Sequence, residues 1–168
     1  DHREVSKDLD IVAWNSYPLG NLQNMQIIAR EDKQLINDCY NIGDPDFQSY
    51  HHDLYRGMGR LWIMEQQPGP VNWAKYNPVP VDGAVRMWTW EAFAHDAEVV
   101  SYFRWRQAPF AQEQMHSALM LRDNTPAVGS LEALQVSKEI QMIELPATQK
   151  SEIALLHDYE ACWITELD

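Results

Sequence analysis

Three short β-forming segments, each followed by a helical pattern, set the terms on which this chain folds. Residues 9–17, LDIVAWNSY, alternate and carry β-formers, and Pro18 and Gly20 close the run. Residues 61–65 form a short apolar strand, and 98–105, EVVSYFRW, form a third. A helix near 30–41 comes first among the connections. Asp44-Pro45-Asp46 then opens a helix over 46–59, with Phe47, Tyr50, Leu54 and Met58 at helical spacing and Gly57 and Gly59 at its end. Residues 84–96 make a mostly apolar helix. Residues 130–144 make another, with Leu131, Leu134, Ile140 and Ile143 on one face. Strands alternating with helices mean parallel βα units and an α/β fold.

The long loops, 66–83 and 106–129, both follow strands. In a (β/α)₈ TIM barrel such loops build the active face, and chemistry sits at the C-terminal ends of the strands. Three units are too few, because such a barrel needs eight and about 250 residues. The expected architecture is the last part of a barrel, residues 1–145, and then the start of a second domain, 146–168. Leu145-Pro146-Ala147-Thr148 reads as the linker, and 152–159, EIALLHDY, as the first strand of that second α/β domain. Both ends of the chain read as cut.

Bulk properties narrow the function. The 168 residues are 45% hydrophobic and carry a net charge of -12, so the chain is globular and lacks the Lys and Arg clusters that nucleic acid needs. No apolar run reaches the length of a membrane span. Cys39 and Cys162 match no zinc spacing and fit a reducing, cytoplasmic setting. No metal and no cofactor is expected.

Glu65 ends an apolar strand where a barrel delivers side chains into its site. It reads either as a catalytic carboxylate or as a strand-end group facing solvent. Tyr17 and Trp14 hold the equivalent position on the first strand, and Phe103 and Trp105 on the third. Trp73, in the first long loop, offers a flat apolar wall for a sugar ring or an anchor for its own loop. Glu113 and His116, three apart, suit hydrogen bonding to a polyol, since Glu accepts and His can donate. The adjacent His51 and His52 read as a solvated helix face, and Trp88 and Trp90 as core. Gly57-x-Gly59 precedes a strand and is no dinucleotide fingerprint. Two functions stay open on these residues alone. One is a glycosidase with Glu65 and Glu113 as its visible carboxylates. The other is a sugar-binding surface without chemistry.

The strings MEQQPGPVNW (64–73), RMWTWEAFAH (86–95) and VVSYFRWRQAPFAQEQMH (99–116) closely resemble glycoside hydrolase family 42, the β-galactosidases. AWNSYPLG (13–20) and DFQSYHHDLYRG (46–57) resemble it too, and the likeness is collinear from about residue 9 to 144. It implies a retaining β-galactosidase on a (β/α)₈ barrel, with this chain holding about strands 6–8. Glu65 then matches the nucleophile. Trp73 matches a wall of the galactose subsite, and Glu113 and His116 match residues that bind galactose hydroxyls. Phe103 and Tyr17 line the same subsite. The family's acid/base is a Glu preceded by Asn on the fourth strand, a pair this chain does not contain. The resemblance also implies a homotrimer, built by a domain that would begin near residue 146. A non-catalytic galactose-binding module is the alternative. A lone section of barrel is expected to expose a bare strand edge and apolar helix faces, Trp88 and Trp90 among them, and to be poorly folded and inactive by itself.

Overall fold

The computed structural model describes residues 1–28, 33–146 and 151–165. Its centre is a three-stranded parallel sheet, β1 (Val12–Ser16), β2 (Leu61–Gln66) and β3 (Ala97–Tyr102), in that spatial order. Parallel neighbours need a crossover. Helix α4 (Pro45–Arg56) makes the first and α5 (Ala84–Ala94) the second. Three helices precede α4: α1 (His2–Ser6), α2 (Pro18–Ile28) and α3 (Lys33–Cys39). After β3 come a 3₁₀ turn (Gln112–Met115), α6 (Val128–Glu139) and α7 (Tyr159–Thr165). Of the helix expected near 30–41, residues 33–39 are α3, and residues 30–32 lie outside the described residues.

Helices cover one face of the sheet. Leu61 and Ile63 pack with Ala92 of α5 and with Ala97, and Trp14, Tyr55 and Val100 close the cluster's rim. A second cluster joins Leu19 of α2 to Ala84, Val85 and Trp88. Trp88 is fully buried, and its indole N–H donates to the Ile42 carbonyl at 2.8 Å. The expected exposure of Trp88 is therefore wrong: α2 and the 41–43 turn cover it without help from the rest of a barrel. Trp90 is half-buried and donates to Glu139 at 2.8 Å.

Helix α4 starts as its sequence predicts. Asp44 accepts from the N–H groups of Asp46 (3.0 Å) and Phe47 (3.4 Å), with Pro45 in the first turn. Its buried face is polar, however. Gln48 and His52 are buried, while Phe47, Tyr50 and Leu54 are only partly so. The reading of His52 as solvated is overturned because β1 supplies its partner, Trp14, whose indole N–H donates to His52 Nδ1 at 3.2 Å. Ser16 donates to Gln48 at 3.0 Å in the same layer.

Two other expectations fail on packing. In α6 the buried residues are Gly129, Ser130 and Val136, whereas Leu131 and Leu134 are more than half exposed and Ile143 lies beyond the helix. Helix α6 meets α5 through polar groups instead. Glu132 accepts from the Gly83 and Arg86 N–H groups, and Glu139 pairs with Arg86. The predicted strand over 152–159 does not form: residues 151–158 carry no regular structure and lead into α7. A strand needs a partner, and residues 151–158 pair with neither β1 nor β3. Ile153, Leu155 and Leu156 stay exposed. His157 and Tyr159 nonetheless reach Tyr50 and His2, each at 2.7 Å. No helix among the described residues is long and apolar enough to cross a membrane.

Candidate active site

Strict alternation along β2 puts Glu65 on the same face as Leu61 and Ile63, under the helices. The register shows otherwise. Trp14 pairs with Ile63 and the next residue, Asn15, with Glu65, so β2 carries one extra residue there. Against β3 the same slip appears, since Ile63 pairs with Val100 and Gln66 with Tyr102. This is a β-bulge, which bends a strand and re-aims its side chains. It turns Glu65 to the uncovered face beside Asn15 and returns Gln66 to the buried one.

Tyr17, just past β1, donates its hydroxyl to Glu65 Oε2 at 2.6 Å and is itself buried. Burial raises the Tyr17 pKa above the ordinary phenol value, and the bond to Glu65 and its charge raise it further, so the hydroxyl stays a donor. The Trp73 ring stands edge-on to Tyr17 at 5.5 Å and keeps 44% of its surface open. It fits because residue 20 is glycine: a Cβ there would collide with the indole. His116 lies edge-on to both Tyr17 (5.9 Å) and Phe103 (5.3 Å).

The loops that carry these groups are tied together. Gln67, fully buried, accepts from the Leu19 N–H and donates to the Gly69 carbonyl. Asn72 donates to the Gln112 carbonyl at 2.9 Å, and the Ser117 N–H donates to the Pro70 carbonyl at 2.9 Å. The polar, proline-rich run after Glu65 thus holds Trp73 and His116 in one frame.

His116 Nδ1 lies 2.9 Å from the Ser117 carbonyl. A carbonyl only accepts, so Nδ1 carries the proton and Nε2 presents a lone pair. Burial lowers the His116 pKa, with Arg104 acting the same way against the Ser117 bond. In that neutral form Nε2 is free to accept a hydrogen bond, the reverse of the donor role its residue type suggested. Glu113 is more than half exposed and ion-paired with Arg104.

The residues expected from sequence, Tyr17, Glu65, Trp73, Phe103, Glu113 and His116, therefore form one connected patch on the uncovered side of the sheet. Trp14 does not join it, because its ring turns to α4. Trp105 is 70% exposed. Arg104 was missed, and its place between Phe103 and the Glu113 segment was the available signal. A cavity of about 660 Å³ lies elsewhere, between α4 and α5, lined by Ile42, Gln48, Trp90 and Glu91. It sits on the helical side, away from Glu65, so convergent chemistry and not cavity size marks the site. Among the described residues no cluster of His, Cys, Asp or Glu is arranged to hold a metal ion.

Comparison with known proteins gives the family. The sequence model of glycoside hydrolase family 42, described as beta-galactosidase, matches residues 1–143. The chain is 53% identical to the beta-galactosidase BgaA of a Thermus species over 165 residues, 97% of this chain and 25% of that protein. The crystal structure of a beta-galactosidase from the psychrophilic Marinomonas ef1 aligns with a TM-score of 0.77 at 55% identity, over 84% of this chain and 21% of that one. The beta-galactosidase of the Antarctic haloarchaeon Halorubrum lacusprofundi aligns with a TM-score of 0.90 at 39% identity, over 99% of this chain and 24% of that one. The chain spans about a quarter of the length of these relatives. With its parallel βα core and a family model that matches residues 1–143, this chain belongs to glycoside hydrolase family 42.

Proposed function

We propose that this chain is the nucleophile-bearing section of a retaining β-galactosidase, about strands 6–8 of a (β/α)₈ barrel. Residues 1–145 form that section. Residues 146–168 lead out of it toward a domain that assembles a homotrimer. The observation that carries the reading is the 2.6 Å bond from Tyr17 to Glu65, which aims one carboxylate oxygen and, among the described residues, leaves the other without a hydrogen bond.

Glu65 attacks the anomeric carbon of a terminal β-D-galactose, displacing the aglycone and forming a galactosyl-enzyme ester. A second carboxyl group protonates the leaving oxygen and then activates water, which releases galactose with retained configuration. Retention needs that group about 5–5.5 Å from Glu65. No Asn-Glu pair of the family's acid/base type occurs in the 168 residues, so it comes from another part of the barrel. Trp73 walls the sugar, with Phe103 and Tyr17 beside it, while Glu113 and His116 each accept from a galactose hydroxyl. A site that pairs a hydroxyl discriminates strongly against sugars that lack it. The two cysteines are unpaired, in keeping with a cytoplasmic setting.

The test is Glu65→Gln in the full-length enzyme carrying this segment. Turnover of a chromogenic β-galactoside should vanish while galactose still binds. Surviving turnover would remove Glu65 as nucleophile. A galactose-binding module without chemistry would instead show binding, and no turnover, in the unmodified full-length protein.

A further inference from the structure

We propose that Arg104 is a positioning residue for galactose recognition, holding Glu113 through their ion pair while resting against Phe103. The inference rests on the assignment of Glu113 and Phe103 to the sugar subsite.

Glu113 belongs to an exposed 3₁₀ turn within the long 106–129 loop, and its side chain is more than half open to solvent. A carboxylate in such a place samples many rotamers unless something fixes it, and ordering it costs side-chain entropy. Arg104 supplies that constraint. Its guanidinium donates to Glu113 Oε2, a bond between two charged groups and so among the stronger ones available. The guanidinium carbon lies 4.5 Å from the centroid of the Phe103 ring, where cation and ring attract.

Arg104 is itself anchored. Its carbonyl accepts from Leu119 at 2.9 Å, and the next carbonyl, Trp105, accepts from Met120 at 2.8 Å. Its side chain is only 24% exposed. Nε is buried and has no acceptor among the described residues, so Glu113 is what the guanidinium is spent on. One arginine thereby couples the Phe103 ring at the end of β3 to the carboxylate nine residues on. Arginine suits this work through its planar fork, which lysine lacks.

The test uses the full-length enzyme carrying this segment, with Arg104→Met, Arg104→Lys, Glu113→Gln and the Arg104→Met/Glu113→Gln double variant. Arg104→Met is expected to raise both KM and the galactose inhibition constant by about 10-fold or more, with kcat less affected, as for lost ground-state binding. Simple structural damage would lower the active fraction, seen as a fall in kcat at unchanged KM, and would overturn the proposal. The double variant should be no worse than Glu113→Gln alone, because Arg104 acts through Glu113. Multiplying losses would overturn it. Where Arg104→Met fails to fold, Arg104→Lys is expected to fold and show a smaller rise in KM, and an unchanged KM there would overturn the proposal. No effect of Glu113→Gln on KM or galactose inhibition would remove the sugar-ligand assignment of Glu113 itself. An effect of Glu113→Gln without one of either Arg104 variant would leave that assignment standing and defeat only the role of Arg104.

Discussion

Tyr17 and Glu65 meet across the ends of β1 and β2, the phenol donating to one carboxylate oxygen at 2.6 Å. The bond orients the carboxylate before any substrate arrives, and small misplacements of a reacting group cost about 100-fold in rate. Tyr17→Phe keeps the ring that Trp73 and His116 lean on and deletes only the donor. We expect kcat of the full-length enzyme to fall by about 10–100-fold, with galactose binding little changed. Steady-state kinetics and galactose inhibition decide it, and an unaltered kcat would mean the bond is incidental.

Gly20 makes room for Trp73. The first atom of any side chain at position 20 would meet the indole. Gly20→Ala should displace Trp73, raise KM, and destabilise by about 1–3 kcal/mol, as overpacking does. Trp73→Phe, with a smaller ring, should recover part of the stability but not the KM. Denaturant midpoints and KM values for the two single variants and the double variant check this. Full additivity of the stability losses would show that the two residues do not share the space.

His52 is buried, and burial lowers its pKa to about 3. In the unfolded chain it titrates near 6.5. Between those values the unfolded state binds a proton that the folded state refuses, so stability falls as pH drops from about 6.5 toward 3. The slope from one such group is at most about 1.4 kcal/mol per pH unit. Glu91, held above the usual carboxylate range by burial, acts in the opposite direction below its own pKa. The measurement is therefore a difference. Denaturant midpoints from pH 7.5 to 5 should fall less steeply for His52→Gln than for the unmodified enzyme. Equal slopes would mean His52 takes up its proton without unfolding.

Glu132 of α6 caps the N-terminus of α5, accepting from Gly83 and Arg86 N–H groups at 2.8 and 2.9 Å. Helix α5 has no side-chain cap of its own, since Gly83 stands at that position. A carboxylate there satisfies two free donors and suits the helix dipole. Glu132→Ala should cost about 1 kcal/mol, and Glu132→Gln less. Chemical denaturation of the two variants separates charge from hydrogen bonding. No loss in either would show that water serves the same donors as well.

Several features were legible because local chemistry dictates them. Asp44 and Pro45 start α4 wherever it sits, and the three β-forming runs alternate with helices in a way that only parallel units satisfy. The candidate site residues stood out by strand-end position and spacing, and strings specific enough to reveal a family gave them their roles. Burial was less legible. Residue type alone sent His52 to solvent and Leu131 and Leu134 inward, and the reverse holds, because Trp14 offers His52 a partner and α6 meets α5 through Glu132 and Glu139. The strand expected at 152–159 failed for a similar reason, since β-propensity has no effect in a segment that pairs with neither β1 nor β3.

What the amino-acid order determined by itself was which residues could carry the chemistry: a carboxylate at the end of an apolar strand, a tryptophan in the loop after it, and a Glu and His three apart. What only the tertiary structure decided was that they face one another. Alternation along LWIME assigns Glu65 to the helix-covered face. One extra residue in β2 after Ile63, relative to the local register of both neighbours, reverses that parity and turns the carboxylate to Tyr17. A bulge is a property of three strands in register, and no one strand's sequence encodes it.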